Sequence, residues 1–164
     1  MSLESNPQRR NSNPNIDVDT KSKTQEARKN SIPKDSTVLV VEDNVSNFVL
    51  IARMLGFLGI HCEWKTSGYE VVEYADTLPR LDLILMDIRL PYEDGYGALK
   101  KIRQSSHLKD VPVVAVTAEG TQEQINKAKV AGFNGFLGKP LDPDRFPDQI
   151  QRILSGEPVW ELSF

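Results

Sequence analysis

The sequence predicts an α/β fold: a doubly wound, five-stranded parallel sheet with helices on both faces, in a single domain. Three observations lead there. Short apolar runs alternate with segments whose apolar residues recur at helical spacing. The runs are apolar throughout rather than alternating, as strands buried between two helix layers are. Several of them end on an acid, a hydroxyl or a lysine. In a parallel sheet wound by helical crossovers those ends lie along one edge, where ligands bind.

Order starts at Thr37-Val38-Leu39-Val40-Val41, a β-branched strand ending on Glu42-Asp43-Asn44. Phe48, Ile51, Ala52, Leu55 and Leu58 then follow helical spacing, and Gly59 stops that helix. Ile60 to Trp64 read as a second short strand. Ser67 and Glu70 have the spacing of a capping box for a helix carrying Val71, Val72 and Ala75. Leu81 to Asp87 is the third strand, a run that ends on a carboxylate just before Pro91. Asp94 and Gly95 open a third helix with Ala98, Leu99 and Ile102 inward. Val111 to Val116 is the fourth strand, ending on Thr117-Ala118; its Pro112 stands near the start, where a missing N–H is tolerated. Thr121 and Gln124 form a second capping box, for a helix closed by Gly132. Gly135 to Gly138 is the fifth strand and leads into Lys139-Pro140. The last helix buries Phe146, Ile150 and Ile153, with Pro147 in its first turn and Asp144 as its expected N-cap.

Two segments fall outside this pattern. Residues 1–34 are polar and almost without large apolar side chains, too few to offset their ordering entropy, and read as a disordered tail. Their seven Lys/Arg against four Asp/Glu give about +3, against −3 for the whole chain. Residues 156–164 read as a C-terminal tail, leaving residues 35–155 as the domain. The overall charge makes no case for nucleic acid. No apolar run approaches a membrane span and the N-terminus lacks a signal-like h-region. Cys62, the single cysteine, excludes an internal disulfide. The compartment expected by default is the cytoplasm.

The chemistry sits at the strand ends. Glu42, Asp43, Asp87, Thr117 and Lys139 would share one cleft. Three carboxylates crowded together repel one another, and a hard cation relieves the conflict. Mg²⁺ suits an all-oxygen donor set and keeps sites for water and phosphate oxygens. Lys139 adds a point charge for phosphate. A cation, an ammonium and a hydroxyl around a carboxylate suit phosphoryl transfer, with Asp87 as the nucleophile.

The ordered set Val38-Leu39-Val40-Val41-Glu42-Asp43-Asn44, Leu85-Met86-Asp87-Ile88-Arg89-Leu90-Pro91 with Asp94-Gly95, Val116-Thr117-Ala118 and Lys139-Pro140 resembles the receiver domain of two-component response regulators. The resemblance covers about residues 36–155 and implies a flavodoxin-like fold. It implies that Asp87 takes a phosphoryl group from a sensor histidine kinase or a histidine phosphotransfer protein. Glu42, Asp43, Asp87 and the backbone carbonyl of Arg89 would hold Mg²⁺. Thr117 and Lys139 would bind phosphoryl oxygens, and Phe136 would match the family's switch aromatic. It also implies a cis peptide between Lys139 and Pro140. Arg89 and Glu119 depart from the commonest pattern and are placed to pair across the mouth of the site. Glu93 replaces an often apolar residue.

The expected function is that of a stand-alone phosphoacceptor, not a turnover enzyme. Its output would pass through protein contacts, since the residues after Lys139 leave no room for an output domain. Arg145, Gln149 and Arg152, with Lys127, would form a basic face on the fourth helix, fifth strand and fifth helix. A downstream protein or a second copy of the chain would meet that face, with no direct nucleic acid or membrane contact. The rivals are a non-phosphorylated pseudo-receiver that only binds, and an aspartyl-phosphate phosphatase or phosphotransferase. The intact acid set and Lys139 count against the first. The second lacks a separate general acid or base near Asp87.

Overall fold

The computed structural model describes residues 32–163. Six strands form one parallel sheet: β1 (Thr37–Val41), β2 (His61–Lys65), β3 (Leu83–Met86), β4 (Val113–Thr117), β5 (Gly135–Gly138) and β6 (Val159–Glu161). Their spatial order is β2-β1-β3-β4-β5-β6. Five helices join them: α1 (Val45–Phe57), α2 (Val71–Thr77), α3 (Gly95–Gln104), α4 (Gln122–Ala131) and α5 (Phe146–Leu154).

Successive strand side chains point to opposite faces, and the core divides accordingly. Val38 and Val40 join Ile51 and Leu55 of α1 and Phe146, Ile150 and Ile153 of α5. Leu39 and Val41 join Val71 of α2, Leu99 and Ile102 of α3 and Ile125 of α4. The sheet is thus doubly wound, with α1 and α5 on one face and α2, α3 and α4 on the other. The fold is flavodoxin-like, as its sequence pattern implies. Among the described residues no helix is long and apolar enough to cross a membrane.

Several helix ends form as the side chains dictate. Asp94 accepts from the Gly97 amide and Thr121 from the Gln124 amide, each capping a helix N-terminus. Gly132 closes α4 in the left-handed region at φ 103°. Two caps differ from expectation. Ser67 does not cap α2: the N-cap is Glu70, itself left-handed at φ 64° and making no side-chain cap bond. The backbone is pinned just before, where a Cβ on Gly68 would stand 2.8 Å from the Glu93 carbonyl oxygen, and the helix starts only at Val71. For α5 the N-cap is Arg145 rather than Asp144, because Asp142 already accepts the Arg145 and Phe146 amides in a turn. Pro147 does lie in the first turn.

The chain ends need correction too. Ile32 is buried in the core, and the Lys34 carbonyl accepts from Arg80 Nη1 at 2.9 Å. The packed unit therefore reaches back to Ile32; the rest of the expected N-terminal tail, residues 1–31, lies outside the described residues. At the other end, residues 156–163 are not a tail. They carry β6, which makes the sheet six-stranded, with Gly135 facing Val159, Phe136 facing Trp160 and Leu137 facing Glu161. The glycines at both ends of β5 permit the approach. A Cβ on Gly135 would stand 2.8 Å from the Val159 carbonyl oxygen, and one on Gly138 would stand 2.6 Å from the Ser163 amide nitrogen.

Candidate functional site

Parallel pairing brings the carboxyl ends of β1, β3, β4 and β5 to one edge. Glu42 follows β1 directly and is almost wholly buried. Asp87 follows β3 and is 8% exposed. Asp43 faces solvent. One carboxylate oxygen from each of these three acids lies within 4.8 Å of the other two.

Lys139 ties the buried pair together. Its Nζ donates to Glu42 Oε2 at 2.6 Å and to Asp87 Oδ2 at 2.8 Å. Burial alone would lower the pKa of this ammonium. Its bonds to Asp87 and Glu42 outweigh that, and the net effect is a pKa above the ordinary lysine value. Lys139 therefore stays charged at any physiological pH. The peptide between Lys139 and Pro140 is cis, as the resemblance implies.

The remaining lone pairs are partly occupied. Asp87 Oδ1 accepts from the Arg89 amide at 3.0 Å. Glu42 Oε1 accepts from the Asn44 amide at 3.2 Å and from Asn47 Nδ2 at 3.4 Å. Thr117, the last residue of β4, is buried beside the cleft, and its backbone carbonyl accepts the Lys139 amide at 2.9 Å. The Arg89 guanidinium pairs with Glu119, the contact expected across the mouth.

Oxygen donors alone suit a hard cation. Three carboxylates and one ammonium leave two negative charges, which a divalent ion would balance. The exposed Asp43 leaves the cleft open to water and to an incoming group.

Sequence reasoning missed one support. Trp64 of β2 donates its indole N–H to the Glu42 carbonyl at 2.8 Å and stacks on Phe48 of α1, with centroids 4.0 Å apart. Nothing in the pattern marked Trp64 as more than a strand residue. Its role depends on the register that sets Val40 beside it.

Phe136 is fully buried in β5. The face around it differs from expectation. Arg145, Gln149 and Arg152 do not form an open basic surface: all three are engaged by Glu161 of β6. Lys127 does not join them, since its ammonium lies over the Tyr96 ring at 4.7 Å. Lys129 instead lies over Trp160, at 5.1 Å.

An acid pair after the first strand, an aspartate after the third and a lysine after the fifth, on a doubly wound parallel sheet, define a receiver module. The chain belongs to the response regulator receiver domain family, whose model matches residues 38–151. Among curated proteins it is 38% identical, over 123 residues, to the signal transduction histidine-protein kinase BarA of Escherichia coli (strain K12); the match takes in 75% of this chain and 13% of that protein. The chain thus spans only a small part of that relative's length. Among solved structures it is similar to the receiver domain of sensor histidine kinase PA1611 from Pseudomonas aeruginosa, described with a magnesium ion coordinated in the active site cleft. There the identity is 35% and the TM-score 0.66, covering 75% of this chain and 99% of that one. A chain of the co-crystal structure of the Saccharomyces cerevisiae histidine phosphotransfer protein Ypd1 with the receiver domain of its downstream response regulator Ssk1 is also similar. It is 30% identical with a TM-score of 0.66, covering 74% of this chain and 90% of that one. The chain is therefore a receiver module of the two-component signalling family.

Proposed function

We propose that this receiver accepts a phosphoryl group on Asp87 from a phosphohistidine and passes the signal on by protein contact. The observation that carries the reading is the convergence of Glu42, Asp43 and Lys139 on Asp87. Mg²⁺ would be held by Glu42, Asp43, Asp87 and the Arg89 backbone carbonyl. When bound it supplies charge neutralisation for the phosphoryl oxygens. The Pseudomonas relative, whose cleft holds magnesium, supports that choice.

In the transfer, an Asp87 carboxylate oxygen forms a bond to phosphorus as the donor's N–P bond breaks. The bonding pair returns to the imidazole nitrogen. The Lys139 ammonium, already 2.8 Å from Asp87, meets the transferred oxygens as they arrive. Thr117 offers its hydroxyl from the neighbouring strand end. Hydrolysis of the acyl phosphate resets the site, so the domain assists its own phosphorylation and dephosphorylation without being a turnover enzyme.

The donor is a sensor histidine kinase or a histidine phosphotransfer protein. Beside the cleft, α1 exposes Val45, Val49 and Leu50, and a groove between α1 and the Lys139–Leu141 segment is mostly apolar. That surface suits a donor domain that docks an apolar helix face while presenting its histidine to Asp87; the Ypd1–Ssk1 complex supports a histidine phosphotransfer protein as partner. The test is intact mass after incubation with a small phosphodonor. Wild type with Mg²⁺ should gain one phosphoryl group; Asp87→Asn, and wild type in EDTA, should gain none. Equal labelling of Asp87→Asn would overturn the assignment.

A further inference from the structure

The last strand covers the β5 edge and the Arg145–Gln149–Arg152 face that the sequence pattern marked for partner contact. It does so through four kinds of contact. Backbone pairing extends the sheet from β5 to β6. Trp160 packs beside the core group that holds Phe136, its register neighbour. Glu161 Oε2 accepts from Arg145 Nη2 at 2.7 Å and Gln149 Nε2 at 2.6 Å, while Oε1 accepts from Arg152 Nη1 at 3.1 Å. Beyond it, Leu162 lies over Gly120, in the loop that follows Thr117.

The seat is nonetheless marginal. β6 has only three residues and stands at the sheet edge, where opening is cheapest. An open pocket of about 290 Å³ lies beside its start, lined by Pro112, Phe133, Ile153, Pro158 and Trp160 among others. On the other side of the strand, next to Glu161, Gln149 Oε1 is buried without a hydrogen-bond partner among the described residues. The connection from α5 runs through Gly156, left-handed at φ 93°.

We propose that residues 159–163 are a displaceable strap, a built-in ligand of the β5 edge and of the Arg145–Gln149–Arg152 face, released when Asp87 is phosphorylated. The inference rests on the reading of Asp87 given above. The strap touches both segments that carry phosphoryl-binding side chains, the loop after Thr117 through Leu162 and the β5 end through Gly138. Drawing Thr117 and Lys139 toward a phosphoryl group moves those two segments together, because the Lys139 amide is bonded to the Thr117 carbonyl. Phe136 and Trp160 are register neighbours packed in one cluster, so a rearrangement around Phe136 reaches Trp160. Two states of one packed neighbourhood then compete, and a docked strap disfavours the phosphorylated one. Once vacated, the surface offers an open strand edge beside two arginines. It fits an extended segment with an aromatic residue followed by an acidic one, the chemistry the strap itself presents.

Hydrogen exchange read by mass spectrometry on the full chain tests this, with and without Mg²⁺ and beryllofluoride. Occupancy of Asp87 is read separately from the fluorine NMR signal of the bound mimic. With the mimic bound, amides of residues 159–163 should exchange at least ten-fold faster while β1 and β3 keep their protection. Glu161→Arg, which sets a third arginine against Arg145 and Arg152, should show the faster exchange with no mimic present. Unchanged exchange of residues 159–163 with the mimic demonstrably bound overturns the strap, as does unchanged exchange in Glu161→Arg. No bound fluorine signal at all overturns the reading of Asp87, and the strap's release with it.

Discussion

Replacing Lys139 with Met keeps the aliphatic stem and deletes the ammonium that joins Glu42 to Asp87. Those two side chains are 2% and 10% exposed. Removing one partner of a buried ion pair strands the other charge, at about 3–5 kcal/mol. The neighbouring Asp43 faces water, so the cleft can admit solvent and the lower end applies, about 3 kcal/mol. For a domain of this size 1 kcal/mol shifts the melting point by about 3–4 °C, so Lys139→Met should melt about 10 °C lower in EDTA. A divalent cation can take over the role of the ammonium, and saturating Mg²⁺ should restore much of the loss. The pH dependence has a definite sign. The folded pKa of Lys139 is raised above its ordinary value of 10.5. Its contribution is therefore complete below that pH and is lost as pH rises through the higher folded value. Thermal melts followed by circular dichroism, in EDTA and in Mg²⁺, check each point. If Lys139→Met and wild type melt within about 2 °C of each other in EDTA, the buried pair does not hold the site together.

Other residues give independent expectations. Asp43→Ala should weaken Mg²⁺ binding at least ten-fold by calorimetry with little change in stability, because Asp43 is an exposed carboxylate within reach of Glu42 and Asp87. Arg103 donates to the carbonyls of Lys109, Val111 and Gly132 and to Asn134 Oδ1, stitching the end of α3 to the start of β4 and the end of α4. Arg103→Ala removes all four bonds, leaving Asn134 Oδ1 with the Val113 amide alone, and should lose about 2–3 kcal/mol in urea unfolding. Burial, with Glu63 beside it, pushes the Cys62 thiol up from 9.0 to about 11. At pH 8 its thiolate is about 100-fold scarcer than that of an unperturbed thiol, and alkylation followed by mass should be slower in proportion.

Much of the fold is legible in the chain because its signals are local. The apolar runs of β1, β3 and β4 and the cap of α4 at Thr121 depend on neighbours a few residues away; β1 and the cap form as read, while β3 (Leu83–Met86) and β4 (Val113–Thr117) start later than the runs Leu81–Asp87 and Val111–Val116. The acids at the strand ends were legible because a parallel sheet carries its carboxyl ends to one edge whatever the loops do. What was not legible depends on distant contacts. Val159-Trp160-Glu161 is too short to announce a strand, and its pairing is licensed by glycines in β5. The arginines of α5 have the spacing of a free basic face, but Glu161 claims them from the other side of a turn. Ser67 and Glu70 have capping spacing, yet close backbone packing at Gly68 sets where α2 starts.

The central claim is that Asp87 itself becomes the acyl phosphate. The direct measurement is reduction of the phosphorylated protein with borohydride, which converts an aspartyl phosphate to homoserine, followed by peptide sequencing in the mass spectrometer. Homoserine at position 87, dependent on Mg²⁺ and absent from unphosphorylated protein, is the predicted result. Homoserine at Asp43 or at another acid, with Asp87 intact, would contradict it.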